Sequence, residues 1–104
     1  MRSTDFRKVY DRGSRFSSPL FAAFCMRTPE AGGPRIGFTL PRAVGKAVVR
    51  NRIKRRVREA VRLHLAHLSP EWSIVINPRR KAMEAPFPEL EREVARLFAR
   101  CSGS

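Results

Sequence analysis

The sequence is short of acid. Nine Asp and Glu stand against 22 Lys and Arg in 104 residues, a formal charge of +13. It is short of cysteine as well: only Cys25 and Cys101 occur, far apart and in no C-x-x-C pair. That excludes a zinc site, which needs clustered ligands, and a disulfide framework, so both are read as reduced thiols. Long hydrophobic runs are missing. The longest, Leu20 to Met26, falls far below the roughly 20 residues that cross a bilayer, so no membrane partner is expected. Met1-Arg2-Ser3-Thr4-Asp5 has no apolar core of a secretory signal, which points to the cytoplasm. What remains is ordinary for a folded chain. An apolar share of 42% argues against disorder, and the length suits one domain over residues 1–104.

The positive charge is concentrated. Between residues 42 and 62 lie Arg42, Lys46, Arg50, Arg52, Lys54, Arg55, Arg56, Arg58 and Arg62, with Glu59 as the one acid. A helix so charged repels itself until a polyanion neutralises it. Arginine dominates, which suits forked hydrogen bonds to phosphate. Genome bias explains Arg over Lys but not the missing acids. A nucleic acid is the expected partner.

Local patterns order the elements. Ser3 or Thr4 can cap a first helix bearing Phe6, Val9 and Tyr10, with Gly13 at its stop. Residues 15–27 read as extended, with Pro19 marking an edge or a break between two short strands, and Pro29 to Pro34 as a turn. Arg35 to Leu40 alternates as a strand, with Ile36, Phe38 and Leu40 on one face. Ile53, Val57, Ala60, Val61, His64 and Leu68 then form a helical stripe that Ser69-Pro70 ends. Asn51, Lys54, Arg55, Arg58 and Arg62 fall on the flank beside it, and the first turn offers free N–H groups. Trp72 to Ile76 is a buried strand closed by Asn77-Pro78. After a Pro-rich loop, Leu90, Val94, Leu97, Phe98 and Cys101 make the stripe of a last helix. The fold class is α+β: a two-layer sandwich with a strand–helix–strand unit over residues 35–76. The strand at Trp72 argues against a helix-turn-helix DNA reader.

Catalytic constellations are not evident. His64 and His67 lack further ligands nearby, so His64 is read as packing. Glu89 and Glu93 are read as surface ion pairs with Arg92 and Arg96. No catalytic residue and no metal ligand is assigned to the polypeptide.

The run Val44-Gly45-Lys46-Ala47-Val48-Val49-Arg50-Asn51-Arg52-Ile53-Lys54-Arg55-Arg56-Val57-Arg58 resembles the arginine–asparagine–arginine signature of the bacterial ribonuclease P protein subunit. Asp5-Phe6-x-x-Val9-Tyr10-x-x-Gly13 and Arg35-Ile36-Gly37-Phe38 are similar to that family's first helix and to the strand before the signature. The resemblance implies a small mixed sheet of about four strands, three helices and a left-handed βαβ crossover. It implies a subunit that binds a catalytic ribonuclease P RNA and assists removal of the 5′ leader from precursor transfer RNA. Mg2+ is expected at the RNA active site, with no cofactor held by protein ligands. Arg50, Asn51, Arg52, Lys54, Arg55 and Arg58 would lie against the RNA, and Phe6, Tyr10 and Phe24 would line a cleft for the single-stranded leader.

The pattern departs from the family in places. Only Met1-Arg2 precedes Ser3, where many relatives carry a longer basic stretch. Pro41-Arg42-Ala43 replaces a serine and two basic residues, and Lys46 replaces a frequent neutral residue and restores a charge. Phe24 replaces a frequent tyrosine. Charge alone would equally fit a ribosomal or other structural RNA-binding protein. The signature favours the ribonuclease subunit.

Overall fold

The computed structural model describes residues 3–28, 35–68 and 71–103, with backbone alone for 3–6, 67, 102 and 103. Helix α1 (Ser3–Arg12) leads into strands β1 (Ser14–Ser17), β2 (Phe21–Arg27) and β3 (Arg35–Phe38). A 3-10 turn at Arg42–Val44 precedes helix α2 (Ala47–His64), and another at Leu65–His67 follows it. Strand β4 (Trp72–Pro78), helix α3 (Lys81–Glu84) and helix α4 (Phe87–Gly103) complete the chain. The expected cap at Ser3 or Thr4, the turn from Pro29 to Pro34 and the stop at Ser69-Pro70 lie outside the described residues.

The strands form one mixed sheet in the order β1-β2-β4-β3. β2 is antiparallel to both neighbours, with Ser14 opposite Cys25 and Phe24 opposite Val75. β3 runs parallel to β4, with Ile36 opposite Ile74, so α2 is the crossover between them. The period-2 alternation sorts side chains to two faces. Phe21, Ala23, Cys25, Ile74 and Ile76 join Ile53, Val57, Ala60 and Val61 of α2 and Leu90, Val94, Leu97 and Phe98 of α4 in the main core. Each fully buried Val, Ile, Leu or Phe side chain among them contributes about 1.5–3 kcal/mol.

The alternate residues face the other way. Ala22 and Val75 are buried there beneath Val9 of α1, so α1 packs on the face opposite α2 and α4. Its approach is close because of Gly13. The Gly13 N–H donates to the Val9 carbonyl at 2.8 Å, and a Cβ at Gly13 would stand 2.8 Å from the Cys25 carbonyl oxygen. The glycine therefore closes α1 against β2 by its lack of bulk.

Three expectations are corrected. Among the described residues there are four α-helices, because Lys81–Glu84 forms one turn inside the Pro-rich loop; Arg56 of α2 donates to the carbonyls of Ala82, Met83 and Ala85, satisfying that turn's open end. β4 runs through Asn77 and Pro78, which pair with Ala22 and Phe21. Glu93 does pair with Arg96 at 2.7 Å, but it is buried and accepts a hydrogen bond from Ser18 Oγ at 3.0 Å. It ties α4 to the β1–β2 turn. Cys25 and Cys101 are both buried and not joined by a disulfide, with Sγ atoms 2.8 Å apart. Their shared hydrogen bond, and burial with it, pushes the Cys25 thiol well above the usual range.

Candidate nucleic-acid interface

The basic segment begins at a sharp bend. Gly45 has φ 154° and ψ −174°, a region closed in practice to residues with a side chain. A Cβ there would also meet Val49 at 3.1 Å. The bend turns the chain so that Lys46, extended at ψ 164°, becomes the N-cap of α2 without a side-chain capping bond. The first helical bond in this turn is Arg50 N–H to the Lys46 carbonyl at 3.0 Å. The N–H groups of Ala47, Val48 and Val49 precede that bond and lack acceptors within the helix. With Val48 71% exposed, this end of α2 is open to a ligand carrying negative charge.

Along α2 the expected sorting holds. Ile53, Val57, Ala60 and Val61 are buried, while Asn51, Arg52, Arg55, Arg58 and Arg62 are exposed, as are Arg42 and Lys46 before the helix. Arg50 and Lys54 are half-buried. They line, with Asn51, Ala47, Phe38 and Leu40, a groove of about 290 Å³ between β3 and α2. Arg50 Nε is enclosed there without a hydrogen-bond partner among the described residues, which leaves a donor unsatisfied. Arg58 lies over the Phe38 ring at 5.9 Å, anchored by its contact with β3.

Two arginines of the segment are otherwise engaged. Arg56 is turned inward onto α3, as described above. Arg62 grips Glu59 through Nη2 to Oε1 at 2.5 Å and Nε to Oε2 at 3.1 Å. This bond holds the Glu59 carboxyl below the usual carboxylate range. Arg62 is therefore the member of the expected set whose charge is most nearly matched by the protein itself.

The aromatic site lies on the other face of the sheet. Tyr10 of α1 is 36% exposed, and its ring meets Phe24 of β2 edge-on, with centroids 4.7 Å apart and planes at 67°. Phe24 is half-buried. The side chain of Phe6, the third residue expected in this cleft, lies outside the described residues. The Tyr10 hydroxyl donates to Asn77 Oδ1 at 2.7 Å and lies 3.0 Å from Thr39 Oγ1. Thr39 Oγ1 also bonds Asn77 Oδ1.

Thr39 and Asn77 are not among the residues expected in the site, Asn77 reading as a strand terminator, although a signal exists. Thr39 alternates with Gly37 on the face away from Ile36 and Phe38, and Asn77 alternates with Val75. Polar residues at those positions mark the strand ends facing α1. Because β3 and β4 are parallel, these ends lie together, and the loop from Thr39 runs straight into the bend at Gly45. The Tyr10 hydroxyl is thus held at the end of the sheet from which the chain leaves for the head of the basic helix.

Among the described residues, no three His, Cys, Asp or Glu gather as metal ligands, and no helix is long and apolar enough to cross a membrane. The arrangement offers phosphate-binding cations and stacking surfaces.

Residues 1–102 match the family described as Ribonuclease P. The chain is 43% identical over 96 residues to the ribonuclease P protein component of Symbiobacterium thermophilum, covering 91% of this chain and 83% of that one. It is 40% identical over 95 residues to that of a Picosynechococcus strain, covering 90% and 81%. The fold is similar to that of the RNase P protein from Thermotoga maritima, with a TM-score of 0.84 at 27% identity over 96% of this chain and 94% of that one. The Staphylococcus aureus RNase P protein shares the fold, with a TM-score of 0.81 at 22% identity over 98% and 92%. Sequence and structure together place the chain in the ribonuclease P protein family, the protein components of a ribonuclease that processes transfer RNA.

Proposed function

We propose that the chain works in the cytoplasm by holding two stretches of RNA at once. Arg42, Lys46, Arg50, Asn51, Arg52, Lys54, Arg55, Arg58 and, most weakly, Arg62 bind the phosphates of the ribonuclease P RNA. Phe6, Tyr10 and Phe24 receive the single-stranded 5′ leader of precursor transfer RNA. One observation carries this reading: the exposed Tyr10, paired with Phe24, is hydrogen-bonded to Asn77 and Thr39, and the chain leaves Thr39 for the bend at Gly45 and the open head of α2. A strand stacked on the aromatics can therefore run past the cations.

The chemistry suits the task. Leaders differ in sequence, and aromatic faces stack on any base while cations follow the backbone. Phosphate neutralisation releases counterions and supplies most of the affinity. The polypeptide contributes no group to the bond-breaking step. Hydrolysis of the phosphodiester that joins leader to mature 5′ end would fall to the RNA subunit, where Mg2+ held by the RNA, with no protein residue as ligand, would supply the metal chemistry. By binding the leader, the protein raises the affinity of the complex for precursor over product.

The test is a comparison of two ligands on the reconstituted complex. Phe24→Ala is expected to weaken precursor binding severalfold, the size of one lost stacking contact, and to leave mature transfer RNA binding unchanged. Equal losses for both would remove the leader-binding role.

A further inference from the structure

We propose that Asn77 and Thr39 are positioning residues for the leader cleft, acting through the hydroxyl of Tyr10. The inference rests on the cleft reading above. Tyr10 stands on the surface of α1 with one aromatic neighbour among the described side chains, Phe24, met edge-on. Such a ring retains rotational freedom unless its far end is held. Here it is held. The hydroxyl reaches across from α1 to the ends of two strands, donating to Asn77 Oδ1 at 2.7 Å and lying 3.0 Å from Thr39 Oγ1.

The hydrogens account for the choice of side chains. The Asn77 oxygen only accepts, and it has two lone pairs. Tyr10 and Thr39 each bring one hydroxyl hydrogen, and both are directed to that oxygen. Thr39 is itself fixed by the sheet, its N–H donating to the Ile76 carbonyl at 3.0 Å. The ring is thereby locked to the part of the sheet from which the chain leaves for the Gly45 bend and α2. Asn77 and Thr39 touch no base in this arrangement. They set the angle and height of the ring on which a base stacks, and they hold that ring in register with the cations that take the adjoining phosphates. Pre-ordering the ring lowers the entropy lost when the leader binds.

The experiment is a double-mutant cycle on the complex reconstituted with a bacterial ribonuclease P RNA, reading equilibrium binding of precursor and of mature transfer RNA. Tyr10→Phe removes only the hydroxyl and keeps the ring. Asn77→Ala removes its acceptor. Each is expected to weaken precursor binding about fivefold, as for one modest hydrogen bond, and to leave mature transfer RNA unchanged. The double variant is expected to be no weaker than either single one, since both break the same bond.

Tyr10 is the only tyrosine in the chain, so labelling tyrosine rings reports on it alone. Loss of its magnetisation transfer to Phe24 in Asn77→Ala is the expected spectroscopic result. Independent, multiplying losses in the cycle, or equal losses on mature transfer RNA, would overturn the positioning role. Phe24→Ala separates the two levels. If it weakens precursor binding while Tyr10→Phe and Asn77→Ala do not, positioning fails and the cleft stands; if it too has no effect, the cleft itself is wrong.

Discussion

Arg56 Nη1 donates to the main-chain carbonyl of Ala82 at 2.6 Å, and the same guanidinium reaches the carbonyls of Met83 and Ala85. One cation in the middle of the basic helix thus serves the fold rather than the RNA. A guanidinium has five donors in a planar fork, and three carbonyls at the end of a single helical turn match it. Its neighbour Arg55 is exposed. The two residues separate stability from binding.

For Arg56→Ala the expected loss of stability is about 2–3 kcal/mol, since carbonyls bonded to a charged donor are left without it. A urea titration followed through Trp72, the single tryptophan, measures this as a lower midpoint. Arg56→Lys should recover only part, because an ammonium cannot span the three oxygens.

Arg55→Ala is expected to do the reverse. Stability should move by less than about 0.5 kcal/mol, as for an exposed substitution. The slope of log affinity for RNA against log salt should become shallower by about 0.7–0.9, one phosphate contact. Affinity that stays flat between low and physiological salt would contradict the electrostatic basis of binding.

Gly13→Ala tests the seat of α1. Its new methyl would collide with main-chain oxygens of Val9 and Cys25, neither of which can swing aside. The expected result is a destabilisation of about 1–3 kcal/mol, accompanied by weaker discrimination of precursor from mature transfer RNA as Tyr10 shifts with the helix. Circular dichroism melting and the two binding titrations report these separately.

The parts of the molecule that were readable from sequence are those where one local rule decides. The stripe read from Ile53 to Leu68 is a helix as far as His64 because its period is helical, and the alternation read from Arg35 to Leu40 is a strand as far as Phe38 because its partner face is apolar. Arg56 reads the same as Arg55 in a sequence, since both are arginines on a basic helix. Only the arrival of α3 beside one of them makes the difference. The turn of Lys81–Glu84 is too short for any period to show. Asn77 looked like a strand terminator because asparagine before proline favours turns. Pairing with Ala22 kept it in the sheet, and that pairing is decided by residues more than fifty positions away. The proposal of a cleft comes only through the family resemblance, since aromatics at the spacing of Phe6 and Tyr10 are more often core; Tyr10 is 36% exposed, whereas Val9 between them is buried.

The most direct measurement is cleavage at low magnesium with a bacterial ribonuclease P RNA and precursor transfer RNA, with and without this polypeptide. Release of the 5′ leader only when RNA and polypeptide are both present is the expected result. Tight binding of the polypeptide to the RNA with no change in cleavage at any magnesium concentration would contradict the proposed role and leave a structural RNA-binding protein.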